Sequence, residues 1–392
     1  MRVSKRVMSL GTESAFEVLA QVEQLEKQGR NVINLSIGQP DFKTSENIVE
    51  AAVKALRNGM HGYTPAPGIE TLREAVAQKY SSDHEISLDP NNVLITPGGK
   101  PVIFFAVFMF GHDDGEILYP DPGFPIYESV INFSGARAVP YALSEKKDFS
   151  ITADAILNRI TPKTKLLILN SPHNPTGSVS SKKEIEKLIA GLLHYPNIGI
   201  LSDEIYSKIY FDNLMPNSMI QFPEIRERII ILDGWSKSYA MTGWRLGYSI
   251  WPKNLIEKAI RFAINTHSCV NGFVQMAGVE ALNGSQDDLK NMITIFRKRR
   301  DVIVSGLNSI RNISCVNPKG AFYVFPNIKE TGKNSLTLQN DLLNQEGVAL
   351  LAGSSFGSNG EGYLRLSYAN SMENIEIALD RMKNYFENPS KK

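Results

Sequence analysis

Apolar positions change period along this chain. Between residues 12 and 28 they recur every three or four places, with Phe16, Leu19, Val22 and Leu25 on one stripe and Gly29 next. That spacing predicts an amphipathic helix that stops at the glycine. Val32-Ile33-Asn34-Leu35 is then a short extended run leading into Ile37-Gly38-Gln39-Pro40-Asp41-Phe42, whose Gly-x-Pro-Asp order predicts a turn. Residues 45–58 and 69–80 return to the helical period on either side of the loop Gly62-Tyr63-Thr64-Pro65-Ala66-Pro67-Gly68. From there to residue 250 short β-rich runs alternate with helical stretches. The runs are 93–95, 116–119, 138–141, 166–169, 198–201, 229–232 and 247–250, and several are apolar on both faces. Strands hidden on both faces belong to a sheet covered by helices, so the pattern predicts an α/β fold with a mostly parallel, seven-stranded sheet.

Past residue 250 the helical period dominates, over 255–266, 272–282 and 287–310. In the last of these Leu289, Ile293, Phe296, Val304 and Leu307 tend to one side, and Arg297-Lys298-Arg299-Arg300 reads as a solvated face. Two strand-like segments, 321–325 and 362–368, precede a final helix. That helix is expected to start near Asn370, with Glu373 placed as in a capping box, and to bury Ile375, Leu379, Met382 and Phe386. A chain of 392 residues exceeds one compact core of ordinary size. We expect residues 44–285 to form a large domain, and residues 1–43 with 286–392 a smaller α+β domain.

Composition narrows the functional classes. A net charge of +1 with 42% hydrophobic and 21% charged residues gives no reason to expect a nucleic-acid or membrane-surface partner. The two cysteines, Cys269 and Cys315, form no CxxC spacing, which argues against a disulfide framework or a metal site and favours a reducing compartment. The N-terminus lacks the apolar core of a secretory signal, and the strongly apolar stretch 102–110 is too short to span a bilayer. A cytoplasmic protein is expected.

Chemistry concentrates just after the β-rich runs. Thr96-Pro97-Gly98-Gly99-Lys100, Pro122-Gly123-Phe124-Pro125, Asn170-Ser171-Pro172-His173-Asn174-Pro175-Thr176-Gly177, Ser202-Asp203-Glu204-Ile205-Tyr206 and Lys237 all fall there. In an open parallel sheet ligands bind outside the carboxyl ends of the strands, so these segments should converge on one crevice. Lys237 and Arg245 share the otherwise nearly uncharged stretch 233–248. An aldehyde and a phosphate on one cofactor would suit such a pair; two cations simply reaching solvent is the plainer alternative. Neither GxGxxG after the first strands nor GxxxxGK[ST] occurs, so the usual dinucleotide and P-loop signatures are missing.

The ordered set of motifs, from the Gly38 turn to Arg365, resembles the fold-type I pyridoxal-phosphate enzymes, and among them the class I/II aminotransferases related to aspartate aminotransferase. The resemblance implies that Lys237, in Ser-Lys-x-x-x-x-Thr-Gly-x-Arg, forms the internal Schiff base with pyridoxal 5'-phosphate. Its amine would then shuttle the proton. Arg245, Ser236 and the backbone of Gly99 and Lys100 would bind the phosphate, at a helix N-terminus that favours an anion. Asp203 would pair with the pyridine nitrogen and keep the ring protonated as an electron sink. Tyr206 and Asn174 would donate to the phenolic oxygen, and Phe124 would stack on the ring. Arg365 would grip the substrate's α-carboxylate with two parallel hydrogen bonds, assisted by the backbone at Gly38. Asn174 would also face the substrate. Tyr63 would reach across a homodimer to the neighbouring subunit's phosphate. The site would lie between domains, with the smaller one closing over a bound amino acid.

The implied reaction moves an amino group from an L-amino acid to a 2-oxo acid such as 2-oxoglutarate or pyruvate. A lyase on the same scaffold is the alternative, and a non-catalytic ligand sensor a third reading, for which no room is left before Gly38 for a winged helix. Two positions depart from the family pattern. Gly234 stands where many members carry a hydroxyl three residues before the lysine, removing one phosphate donor. Lys100 replaces a small residue; in part of the family a lysine there accompanies acidic donors such as aspartate, whereas here it could equally be solvated at the mouth of the site.

Overall fold

The computed structural model describes residues 2–214 and 218–387. The described residues form twelve strands: β1 Ile33–Asn34, β2 Val93–Thr96, β3 Glu116–Asp121, β4 Arg137–Ala142, β5 Thr164–Asn170, β6 Gly199–Asp203, β7 Ile229–Gly234, β8 Gly247–Ile250, β9 Tyr323–Val324, β10 Val348–Ala349, β11 Leu351–Ala352 and β12 Leu364–Ser367. The seven runs expected from the apolar pattern, β2 to β8, form one sheet in the order β2-β8-β7-β6-β5-β3-β4. Only β8 runs antiparallel to its neighbours within it. Apolar side chains on both faces explain its depth: in β7 Ile229 and Ile231 join one core, while Ile230 and Leu232 join the core on the opposite face.

Register sets the site. Asn170, the last residue of β5, pairs with Asp203, the last of β6, and Asp203 is also level with Leu232 of β7. The carboxyl ends of three neighbouring strands therefore finish together. A third core, containing Leu35, Phe296, Phe322, Leu364 and Leu366, lies apart from the two sheet-face cores. There β1 pairs with β10, and β9 and β11 flank β12. Among the described residues no helix is long and apolar enough to cross a membrane.

Three expectations need correction. The first helix, Ser14–Lys27, buries Val18 and Val22, whereas Phe16 is 59% exposed and lines a cavity instead of a core. Of the basic run in the Asp287–Asn308 helix, Arg297 and Lys298 are exposed but Arg299 and Arg300 are buried. Arg299 makes two hydrogen bonds, 2.7 and 2.8 Å, to the Asp41 carboxylate, and Arg300 pairs with Asp212 at 2.6 Å and Asp301 at 2.7 Å. A guanidinium can be buried there because each charge is answered by a matched carboxylate. The final helix, Met372–Glu387, is capped by Ser371 rather than through Glu373: Ser371 Oγ accepts the Asn374 N–H at 3.1 Å. Its buried face is Ile375, Ala378, Met382 and Tyr385, with Leu379 and Phe386 only partly covered.

Candidate active site

A cavity of about 490 Å³ opens at the carboxyl ends of β5, β6 and β7. Gly38, Gly99, Lys100, Phe124, Asn174, Asp203, Tyr206, Ser236, Lys237, Arg245 and Arg365 all line it. Tyr63 does not; it is 94% exposed on its loop.

At the base, Asp203 is buried and its Oδ2 accepts the Tyr127 hydroxyl at 2.6 Å, while Oδ1 accepts the Ile205 N–H at 3.2 Å. Burial raises the carboxyl to about pH 6, and the bonds from Tyr127 and Ile205 hold it from going higher. Lys237, on the short helix Trp235–Ser238 after β7, donates from Nζ to the Gly38 carbonyl at 2.5 Å. Desolvation lowers this amine to about 8, with Arg365, Arg245 and Lys100 pushing the same way and Glu13 opposing. An amine whose basicity lies close to physiological pH can give up and regain its proton readily, which is what a nucleophile or proton carrier requires.

One wall is built to hold an anion. The Lys100–Phe110 helix begins after Gly99 with no side chain capping its N–H groups. Gly98 lies at φ +85° with the Arg245 guanidinium where a Cβ would stand, so only glycine permits this approach. Arg245 is fixed by the carbonyls of Thr242 at 2.7 Å and Pro97 at 3.3 Å, beside Ser236 on the same cavity. Free N–H groups, a helix dipole and a guanidinium together fit a phosphate.

Opposite stands Arg365, buried on β12. Its Nη1 donates to Asn174 Oδ1 at 3.3 Å and its Nη2 to the Ser36 carbonyl, while Nε has no partner among the described residues. The guanidinium lies over the rings of Tyr323, at 4.6 Å, and Phe356, at 4.9 Å. A buried guanidinium that lines a cavity and has no carboxylate paired with it among the described residues is ready for an anionic ligand. Gly38 is irreplaceable here for a local reason: a Cβ would collide with the Tyr323 hydroxyl.

The family model for aminotransferase class I and II matches residues 30–382. The chain belongs to this aminotransferase family. This aminotransferase is 38% identical over 355 residues to aromatic-amino-acid aminotransferase 2 of Thermococcus litoralis, covering 90% of this chain and 91% of the relative. It is 33% identical to the aspartate aminotransferase of Bacillus subtilis over 396 residues and the full length of both. Among solved structures it matches the Thermus thermophilus aspartate aminotransferase with maleate at a TM-score of 0.93, with 31% identity and 98% and 100% of the two chains covered. The Pyrococcus furiosus alanine aminotransferase matches at 0.91, with 33% identity and 98% and 100% coverage. The fold is therefore that of fold-type I pyridoxal-phosphate enzymes, and the family is known to use that cofactor.

Several groups of this aminotransferase's cavity escape a reading by motif. Tyr127, the partner of Asp203, sits three residues beyond Phe124 at a helix start. Tyr323, hydrogen bonded to the Tyr206 hydroxyl at 2.8 Å, lies within an apolar strand whose aromatics all read as core. Phe356 and Glu13 come from segments with no signature; Glu13 is ion-paired with Lys100. The structure also accounts for Gly234: a Cβ there would come 2.8 Å from Gly247 Cα across the β7–β8 pair.

The lowered basicity of Lys237 has a direct readout. In cofactor-free protein, acylation of Lys237 should rise about tenfold per pH unit and level off near pH 8, while exposed lysines keep gaining reactivity toward their ordinary pKa of about 10.4. Peptide mass spectrometry after pulse labelling measures this. A Lys237 profile that levels off with the exposed lysines contradicts it.

Proposed function

We propose that the cavity binds pyridoxal 5'-phosphate and transfers an amino group between an L-amino acid and a 2-oxo acid such as 2-oxoglutarate or pyruvate. One observation carries this reading: a buried amine of reduced basicity, Lys237, shares one cavity with a buried carboxylate, Asp203, an uncapped helix start beside Arg245, and an under-bonded Arg365. The donor set fits the cofactor. Arg245, Ser236 and the N–H groups of Gly99 and Lys100 would hold its phosphate, Asp203 its ring nitrogen, Tyr206 and Asn174 its phenolic oxygen, and Phe124 one face of its ring. When bound, the cofactor supplies a carbonyl that captures amines and a ring that draws electrons from the substrate's Cα.

The chain's own groups do the rest. Arg365 and the Gly38 backbone would orient the α-carboxylate, which aims the Cα–H bond at Lys237 Nζ. That amine would take the proton from Cα and hold it at Nζ for return, a task that needs it neutral before the transfer. Tyr127 keeps Asp203 ionised by donating to it. Phe356 and Tyr323 cover Arg365 and limit its access to water.

The same reading makes residues 1–43 and 286–392 a unit that moves against 44–285, and the protein a cytoplasmic homodimer. Tyr63 supports the dimer: it stands outside its own chain's cavity and almost fully exposed, as an aromatic waiting for a second subunit would. The test of the function is a single-turnover screen of holoenzyme with amino acids, followed by 2-oxoglutarate or pyruvate. Conversion of the cofactor to its amino form, reversed by an oxo acid, is expected. Catalytic release of ammonia without that conversion would assign a lyase.

A further inference from the structure

We infer that Glu13 is a charge filter for the side chain of the amino donor, turning this site toward uncharged, aromatic or long aliphatic amino acids and away from dicarboxylates. The inference rests on the aminotransferase reading above.

Glu13 occupies the position just before the Ser14–Lys27 helix, where a side chain commonly caps the first N–H groups. It makes no such cap. Its carboxylate instead reaches into the cavity and pairs with Lys100 Nζ, with the Glu13 side chain only 18% exposed and that of Lys100 44%. The segment leading to it is held in place: the Gly11 N–H donates to Ser129 Oγ at 2.9 Å, on the helix that follows Phe124.

The charges lining the cavity can be assigned one by one. The cations are Lys100, Lys237, Arg245 and Arg365, and the anions are Glu13 and Asp203. On the reading above, Arg365 is reserved for the α-carboxylate, Arg245 for the phosphate and Lys237 for the chemistry. Among this chain's described residues Lys100 is then the cavity-lining cation left for a second carboxylate, and Glu13 already neutralises it. The field of Glu13 extends across the cavity, since it opposes the loss of basicity of both Lys237 and Arg365. An incoming side-chain carboxylate must therefore break the Glu13–Lys100 pair and sit beside the displaced anion. An uncharged side chain leaves the pair intact. It would also meet apolar neighbours, because the Lys100 ammonium stands between the rings of Phe16, at 5.8 Å, and Phe124, at 5.9 Å, with Ile37 and Phe356 on the same cavity.

The experiment is a set of half-reactions of holoenzyme with phenylalanine, leucine and aspartate, on the wild type, Glu13→Gln, Lys100→Gln and the double variant. The wild type should prefer phenylalanine or leucine to aspartate. Glu13→Gln should raise the aspartate-to-phenylalanine ratio of kcat/KM about tenfold, the scale of one partly exposed ion pair with its like-charge repulsion removed. The gain should vanish in the double variant, since it depends on a freed Lys100. A wild type that favours aspartate, a ratio unchanged within about twofold in Glu13→Gln, or a gain that survives loss of Lys100 each overturns the filter. If no donor reacts with the wild type, the aminotransferase reading itself fails, and the filter with it.

Discussion

Lys237→Ala is expected to lower the rate of amino-group transfer by at least about 10⁴-fold, because it removes both the anchoring amine and the group that moves the proton at Cα. The loss should fall on the chemical step. Single-turnover deamination of a good donor measures it, and borohydride treatment of the holoenzyme should attach cofactor to the Lys237 peptide of the wild type and to none in the variant. Among the described residues the Lys237 side chain makes one hydrogen bond, to the Gly38 carbonyl. The variant should therefore melt close to the wild type. A variant that still traps cofactor covalently, or keeps a substantial rate of transfer, would show that another amine does the work.

Arg365→Lys is expected to lower kcat/KM by about 100-fold while keeping the charge. An ammonium cannot reproduce the planar fork that now reaches both Asn174 Oδ1 and the Ser36 carbonyl from a position lining the cavity. The amino donor and the oxo acceptor share the α-carboxylate, so both should suffer together, chiefly in KM. Steady-state kinetics with each substrate varied in turn reads this out. A defect confined to one half of the cycle would move Arg365 from the carboxylate to a side-chain contact.

The sheet was legible in the chain because its strands are apolar on both faces, and β2 to β8 lie where that pattern put them. Lys237, Asp203 and Asn174 were legible as polar residues following such runs. Arg365 and Gly38 were not, except through resemblance: Arg365 meets Asn174 from 191 positions away, and Lys237 meets Gly38 from 199. Local pattern carries no information on pairs so distant. Arg299 failed for the same reason, since its partner Asp41 lies 258 positions earlier and a run of four basic residues looks solvated until that carboxylate is in place. Tyr127 and Tyr323 were hidden differently. An aromatic ring satisfies an apolar pattern whether or not its hydroxyl has a task.

Arg299 and Asp41 have a mechanical consequence. The pair clamps the turn that carries Gly38 to the Asp287–Asn308 helix, and Ser36 and Leu35 on the same turn are bonded to Arg365 and to Ser367 of β12. The groups assigned to the carboxylate thus ride on one piece, packed on the core of Leu35, Leu364 and Leu366, while Lys237 hangs from the sheet. If residues 1–43 with 286–392 move against 44–285 as proposed, an amino acid bound by both its ends is a strut across the seam. Ligands that keep the carboxylate but lack the amine load only one side of it, and should be held without drawing the two pieces together.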